Sequence, residues 1–423
     1  MQRKCYRYRK NGTFEIILNN NTKHINKKLI IYKRQHMNLT TKLLLGIGLG
    51  AGFLGYAQDL SLVRPVLTGA PFLRIAPDAR SGGMGDQGVV TSPDAFSQFW
   101  NAAKYPFSRT SSSVGLNYTP YMGKLTNDVF LLYGAFHKFL GQEERSTISA
   151  SIYYFNMGEV DLTQLVGNDV TSMGTSKPNE FSIDIAYGLK LSDSYSMAVT
   201  GRYIRSDLAG GFNTDTTLKP ANSFAVDISG YYTSPKFSGL GNMDGKINAG
   251  FAVQNLGPKL DYTGNEESRS YLPTMARLGV GYDMYLDDMN RVGISVEGSK
   301  ILVPGSEFVG MDPNTRQPIY AVPNVGVIQG ISKSFDNKNS IMYSGALEYS
   351  YDNAFAVRTG YFHESEEQGA RQFATAGIGL KYRSFGLDIS YLINMSKINT
   401  ALDNTLRFGL TWNIGDETSN VDY

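Results

Sequence analysis

From residue 111 onward, apolar and polar residues alternate with period two along most of the chain. In FSIDIAYGLKLS, Phe181, Ile183, Ile185, Tyr187, Leu189 and Leu191 share one face, with Ser182, Asp184, Gly188, Lys190 and Ser192 on the other. LRFGLTWNI sets Leu406, Phe408, Leu410, Trp412 and Ile414 against Arg407, Gly409, Thr411 and Asn413, and FGLDISYLI at 385–393 repeats the pattern. Fourteen such runs can be counted, at 112–121, 128–139, 145–159, 181–192, 195–206, 223–233, 246–256, 274–285, 290–300, 341–351, 354–364, 372–383, 385–393 and 404–414. Their connections alternate in length. Those at 160–180, 207–222, 257–273 and 301–340 are long, and those at 140–144, 193–194, 286–289, 352–353 and 384 are short; 234–245 and 122–127 fit the alternation least well. That asymmetry predicts an all-β fold, a 14-stranded antiparallel transmembrane β-barrel with long extracellular loops and tight periplasmic turns. An even strand number places both chain ends on the periplasmic side.

Strands crossing lipid must satisfy their backbone among themselves, which only a closed barrel achieves. The apolar face then meets lipid. The other carries Asp184, Lys190, Arg202, Asp227, Arg277, Asp283, Glu297, Glu348, Arg358, Lys381, Asp388 and Arg407, mixed in sign and interleaved with small residues, which suits a lumen. The composition agrees, with 45 Gly, 27 Tyr and 22 Phe but only 2 Trp. A water-soluble propeller or sandwich also alternates, but it needs polar outer faces and gives no reason for the loop asymmetry.

Met37 to Lys42 followed by LLLGIGLGAGFLGYA reads as a signal peptide over 37–57, with Gly55 and Ala57 before a cleavage at Gln58. Residues 1–36 are basic and Asn-rich, with no strand or helix period, and read as an over-extended start or disordered leader. The rival, an inner-membrane anchor, would need a longer apolar run. Residues 1–57 hold 11 of the 40 Lys and Arg and 1 of the 38 Asp and Glu, leaving 29 against 37 and a net charge of −8. The overall basic balance thus belongs to the leader, and nucleic acid is not an expected partner. Cys5 leaves with it, so disulfides, thiolate chemistry and a lipobox are not expected.

Residues 58–110 precede the first strand. They carry Pro-Asp-Ala twice (Pro77, Asp78; Pro93, Asp94) around Gly82, Gly83, Gly85 and Asp86, and reach Trp100 and Asn101. So many turns, with Phe96, Phe99, Trp100, Tyr105 and Phe107 as apolar anchors, predict a plug or hatch folded inside the lumen and entering from the periplasmic side. A disordered leader would not carry these anchors. The barrel then occupies 111–414 and a periplasmic tail 415–423.

PDARSGGMGDQGVVTSPDAFSQFWNAAKY, with GFAVQNLGPKLDY at 250–262, LPTMARLGVGYDM at 272–284, VRTGYFHE at 357–364 and NTLRFGL at 404–410, resembles the PorV proteins of the Bacteroidetes type IX secretion system, within the FadL-like barrel superfamily. The resemblance covers residues 60–414. It implies an outer-membrane barrel with an N-terminal hatch that binds cargo proteins through their type IX C-terminal signal domains. It further implies delivery from a SprA-type translocon to a PorU-type sortase attachment complex, amid outer-membrane lipid and lipopolysaccharide. A FadL-like transporter of hydrophobic small molecules and a scaffold of the attachment complex are the alternatives.

No catalytic, cofactor-binding or metal-binding residue is expected. His137 and His363 lie on different strands outside any metal spacing and read as solvated rim or lumen residues, and neither sits in a motif that places a nucleophilic Ser. GGMGDQG lacks the Lys-Ser/Thr of a phosphate loop, and DPNTRQP at 312–318 and NEESR at 265–269 lack the calcium-loop register. Loop 301–340 is long and unusually apolar. Phe308, Ile319, Tyr320, Val325, Ile328, Ile331 and Phe335 are its candidate cargo-binding residues, the last group on a short amphipathic helix within 325–335. The competing reading is a lid folded over its own barrel.

Overall fold

The computed structural model describes residues 6–10, 13–17 and 65–417 apart from 123–125, 127, 167–168, 211–217, 240, 242, 313–317, 338–339 and 398–403. The fourteen alternating runs are fourteen strands: β1 (Thr110–Pro120), β2 (Val129–Leu140), β3 (Ser146–Met157), β4 (Asn179–Ser192), β5 (Tyr195–Asp207), β6 (Ala221–Thr233) and β7 (Asp244–Leu256). Then follow β8 (Met275–Tyr285), β9 (Asn290–Ile301), β10 (Ile341–Tyr351), β11 (Phe355–Glu364), β12 (Gln372–Tyr382), β13 (Phe385–Asn394) and β14 (Leu406–Glu417). Each pairs antiparallel with its sequence neighbours, and β14 pairs with β1, closing the barrel. The last strand runs beyond Ile414 into the expected tail, because Glu417 pairs with Thr110 after a bulge.

Alternation sorts the faces as the pattern requires. Leu116, Ile152, Ile185, Val199, Leu278, Val296 and Leu410 are exposed on the outside. An exposed apolar band of this extent is stable when its solvent is hydrocarbon. Aromatic rings flank it: Phe181, Tyr203 and Phe224 in sequence near the long-loop end, and the stacked pair Phe385 and Trp412 near the short-turn end. Inside, the charges of β4–β14 do not continue all round. Leu131, Tyr133, Tyr153 and Phe155 of β2 and β3 also face inward, and Phe72, Phe96 and Phe99 pack among them.

Two connections carry structure of their own. Residues 160–166 and 169–176 form one hairpin. In the 302–340 connection, Glu307–Met311 pairs with Pro318–Ala321, and a helix spans Val327–Ser334. The leader also differs from expectation: Tyr6–Lys10 and Thr13–Ile17 pair as a hairpin within a separate unit, Met1–Asp59. Residues 37–57 lie outside the described residues.

The segment before β1 does not enter from the short-turn side. Its described part begins at the long-loop end, where the Gly69 N–H donates to the Tyr271 carbonyl (2.9 Å) and Val66, Ala70 and Phe72 are buried with Leu260, Tyr262 and Leu272. It ends at Ser108, beside the short-turn end of β1. The apolar residues of 66–76 find their partners under the long loops, and burial there fixes the direction of the pass. Leu67, 70 % exposed, consequently lies at the long-loop end. In a Cys5→Ser background, Leu67→Cys is expected to react with a membrane-impermeant maleimide on intact cells, whereas Asn353→Cys, in the β10–β11 turn, reacts only after the outer membrane is permeabilised. Labelling only after permeabilisation at both positions would refute this direction.

Candidate functional site: a filled lumen beneath an apolar loop

The doubled Pro-Asp-Ala motif is a pair of side-chain-capped turns joined to each other. Asp78 caps a helical turn, Ala79–Gly82, by accepting from the Ser81 N–H (2.8 Å), and its other oxygen accepts from Trp100 Nε1 (2.7 Å). Asp94 accepts from the Phe96 N–H and from Ser97 Oγ (both 3.0 Å), while Arg80 Nη1 reaches its second oxygen (2.7 Å). Pro77 and Pro93 each precede the capping aspartate. Asn101 Nδ2 donates to the carbonyls of Val89 within the segment and Gly230 of β6. Backbone groups that would otherwise be buried without partners are thereby satisfied.

Glycines let the segment lie against the wall. Gly85 has φ +69°, and a Cβ there would stand 2.9 Å from the Tyr361 backbone, opposite Gly360. Gly83 meets Gly377 of β12 in the same way, and Gly82 packs on the Arg407 side chain.

Wall charges hold these turns in place. Glu348 of β10 accepts from Arg358 Nε (2.6 Å), Arg291 Nη2 (2.7 Å) and both Nε and Nη2 of Arg80 (3.3 Å each). Arg358 also bonds Asp388, and Arg291 pairs with Asp283. Glu297 of β9 accepts from the Gly88 and Val89 N–H groups with one oxygen and from Arg277 with the other. Arg277 in turn lies 5.0 Å from the Trp100 ring centre and donates to Gln254, which donates to the Phe99 carbonyl (2.5 Å). Asp86 pairs with Arg407, and Arg74 with Glu364, itself bound by Arg371. The next residue of the QNLG stretch, Asn255, adopts φ +59° at a bulge between β6 and β7, bonded to Arg202, Asp227 and the Pro273 carbonyl.

Above this interior lies the 302–340 connection. Ile301, Leu302 and Val303 turn into the core, so the stretch is only partly an exposed loop. Phe308 (56 % exposed), Ile319, Ile328 (74 %) and Phe335 (61 %) face outward, while Tyr320, Val325 and Ile331 are half-buried. A helix is present within 325–335, over Val327–Ser334. Gly330 and Ser334 are buried, and Ile328 and Phe335 point away. Gly330 decides this, because its missing side chain allows the helix onto the Tyr271 ring. In the neighbouring loop, the Gly264 N–H and the Arg269 side chain hold the Asp261 carboxyl below the usual carboxylate range.

His137 departs from the solvated position expected of it. His137 is buried, stacked on Tyr105 at 4.4 Å, and its Nδ1 lies 2.7 Å from Ser113 Oγ, a pairing that no local motif announced because the residues meet across β1 and β2. His363 lies beside Tyr361, half-buried. A cavity of about 510 Å³ opens at the short-turn end and is lined by charged groups such as Arg291, Glu348 and Asp388. A second, about 320 Å³, lies between Glu307, Lys333, Asp336 and Gln368 at the loop end.

Removing one member of a buried ion network strands the others, at about 3–5 kcal/mol. Glu348→Ala is expected to lose stability by that order against denaturant, read from Trp100 fluorescence in a Trp412→Phe background. Glu348→Ala unfolding at the parent's denaturant midpoint would show that the network does not hold the segment. Gly85→Val, which drives a side chain into the β11 backbone, is expected to shift the same transition to lower denaturant.

The chain matches the family model described as type IX secretion system protein PorV over residues 58–307, more than half of its 423 residues. Among solved structures, it is similar to the CymD monoaromatic hydrocarbon channel (11 % identity, 81 % of this chain and 98 % of that one, TM-score 0.47). It is also similar to the Pseudomonas putida toluene transporter TodX (10 %, 80 % and 98 %, TM-score 0.46) and to a Pseudomonas aeruginosa FadL homologue (10 %, 83 % and 99 %, TM-score 0.43). No curated protein sequence matches it. With a closed 14-stranded barrel belted by apolar and aromatic residues, this chain is an outer-membrane component of the type IX secretion system and belongs to the PorV family.

Proposed function

We propose that this protein is a non-enzymatic carrier that binds the C-terminal signal domains of secreted cargo at its extracellular face. It receives cargo from a SprA-type translocon and delivers it to a PorU-type sortase complex, which joins it to lipopolysaccharide. The observation that carries this reading is the set of exposed apolar residues on the 302–340 connection, Phe308, Val309, Met311, Ile319, Ile328 and Phe335. Apolar surface held above the membrane favours a protein partner. The lumen supports the same reading, since residues 66–108 occupy it through buried ion pairs and backbone contacts, leaving a folded domain only the outer face. The barrel then serves as a platform.

Mass spectrometry of the C-terminally tagged protein, extracted in mild detergent, tests the reading. It is expected to find secreted proteins that retain their signal domains, lost on deleting residues 305–335. Ile328→Asp with Phe335→Asp should lower their recovery about tenfold or more, with the barrel intact. Bound fatty acids or aromatic hydrocarbons without a protein partner would contradict the carrier and favour a small-molecule transporter.

A further inference from the structure

Tyr271 connects the segment in the lumen to the apolar loop above it. Its carbonyl accepts from the Gly69 N–H (2.9 Å), so its backbone sits on the first turn of that segment. Its hydroxyl donates toward the carbonyls of Val325 (2.7 Å) and Pro323 (3.0 Å) and accepts from the Val325 N–H (3.2 Å), gripping the chain just before the helix Val327–Ser334. The ring packs against Gly330, where an added Cβ would stand 3.0 Å away. Lys259 Nζ lies 4.0 Å from the ring centre and donates to Asn324 (2.8 Å). Beneath, Leu260 and Tyr262 close around Gly69, and Leu260 pairs with Ser270 so that Tyr271 is presented from a short ladder. Val66, Tyr271, Leu272 and Val303 belong to one buried cluster, with Val322 packed against it.

We propose that Tyr271 is a positioning residue through which the N-terminal segment sets the conformation of the 302–340 connection, making residues 66–72 part of the partner-binding site. The inference rests on the reading of that connection as the docking surface. The coupling follows from the direction of the contacts. Ile328 and Phe335 face outward because Gly330 and Ser334 face inward, and Gly330 faces inward because the Tyr271 ring receives it. The ring is fixed by its backbone, which the Gly69 turn supports. Displacing the segment removes that support, and the helix loses its inner contact. Cargo binding and seating of the segment then favour one another, as two equilibria sharing one element must.

The test reads the loop without cargo. In a Cys5→Ser background, Ser334→Cys, at a buried helix position, reports local opening through its rate of maleimide labelling in detergent. Tyr271→Phe removes the hydroxyl bonds but keeps the ring, and is expected to raise that rate roughly tenfold. Gly69→Val, which presses on Leu260, Ser270 and Tyr262 from within the segment, is expected to raise it as well. Heat-modifiable migration on a gel confirms that each variant keeps its barrel. Labelling at the parent rate in both variants overturns the coupling. So does acceleration by Tyr271→Phe alone, which would confine the effect of Tyr271 to the loop. If both variants open the loop while cargo recovery stays at the parent level, the coupling stands and the docking reading fails.

Discussion

Everything else in this barrel depends on burying charge safely in a lumen that is not left to water. Glu348 sits among three guanidiniums, two from the wall and one, Arg80, from the segment that fills the lumen. Each of those carries a second carboxylate, Asp94, Asp283 or Asp388. Such a network contributes little over an apolar core when complete, but it is costly to break. Its value here is specificity: the guanidinium of Arg80 has its partners in one place, so the turn that carries it is held in one register.

The same logic explains why the wall is polar on one side and aromatic on the other. Glu297, Arg277 and Gln254 provide acceptors and donors for the backbone near Gly88 and Phe99. Tyr133, Tyr153 and Phe155 receive Phe72, Phe96 and Phe99, where apolar rings, not turns, meet the wall. The lumen is therefore shaped as a mould for one segment, which carries the chain from the long-loop end to the short-turn end. Above it the same chain supports the loops, through Gly69 against Tyr271 and Arg74 against Glu364, which Arg371 also binds.

Strand number, inward and outward faces and the uneven connections were legible in the sequence because a period of two survives any tertiary context. In β4, Asp184 and Lys190 could be assigned inward from their neighbours alone. Three features were not legible. The direction of residues 66–108 is set by Val66 and Phe72 meeting Leu260 and Leu272, some two hundred positions later, and no local pattern encodes that. Ser113 and His137 met only through strand register. The Pro-Asp-Ala repeat announced turns, but not that Arg80 of the first would bind Asp94 of the second.

A platform whose lumen is filled can engage a folded partner only at its rim. Photo-crosslinking from single positions in living cells measures this most directly, with the reactive residue placed at Ile328 on the loop helix or at Asn353 in a short turn. The account predicts adducts with secreted proteins carrying their C-terminal signal domains from Ile328 and none from Asn353. Cargo adducts from Asn353 with none from Ile328 would contradict it, and would place recognition at the periplasmic mouth.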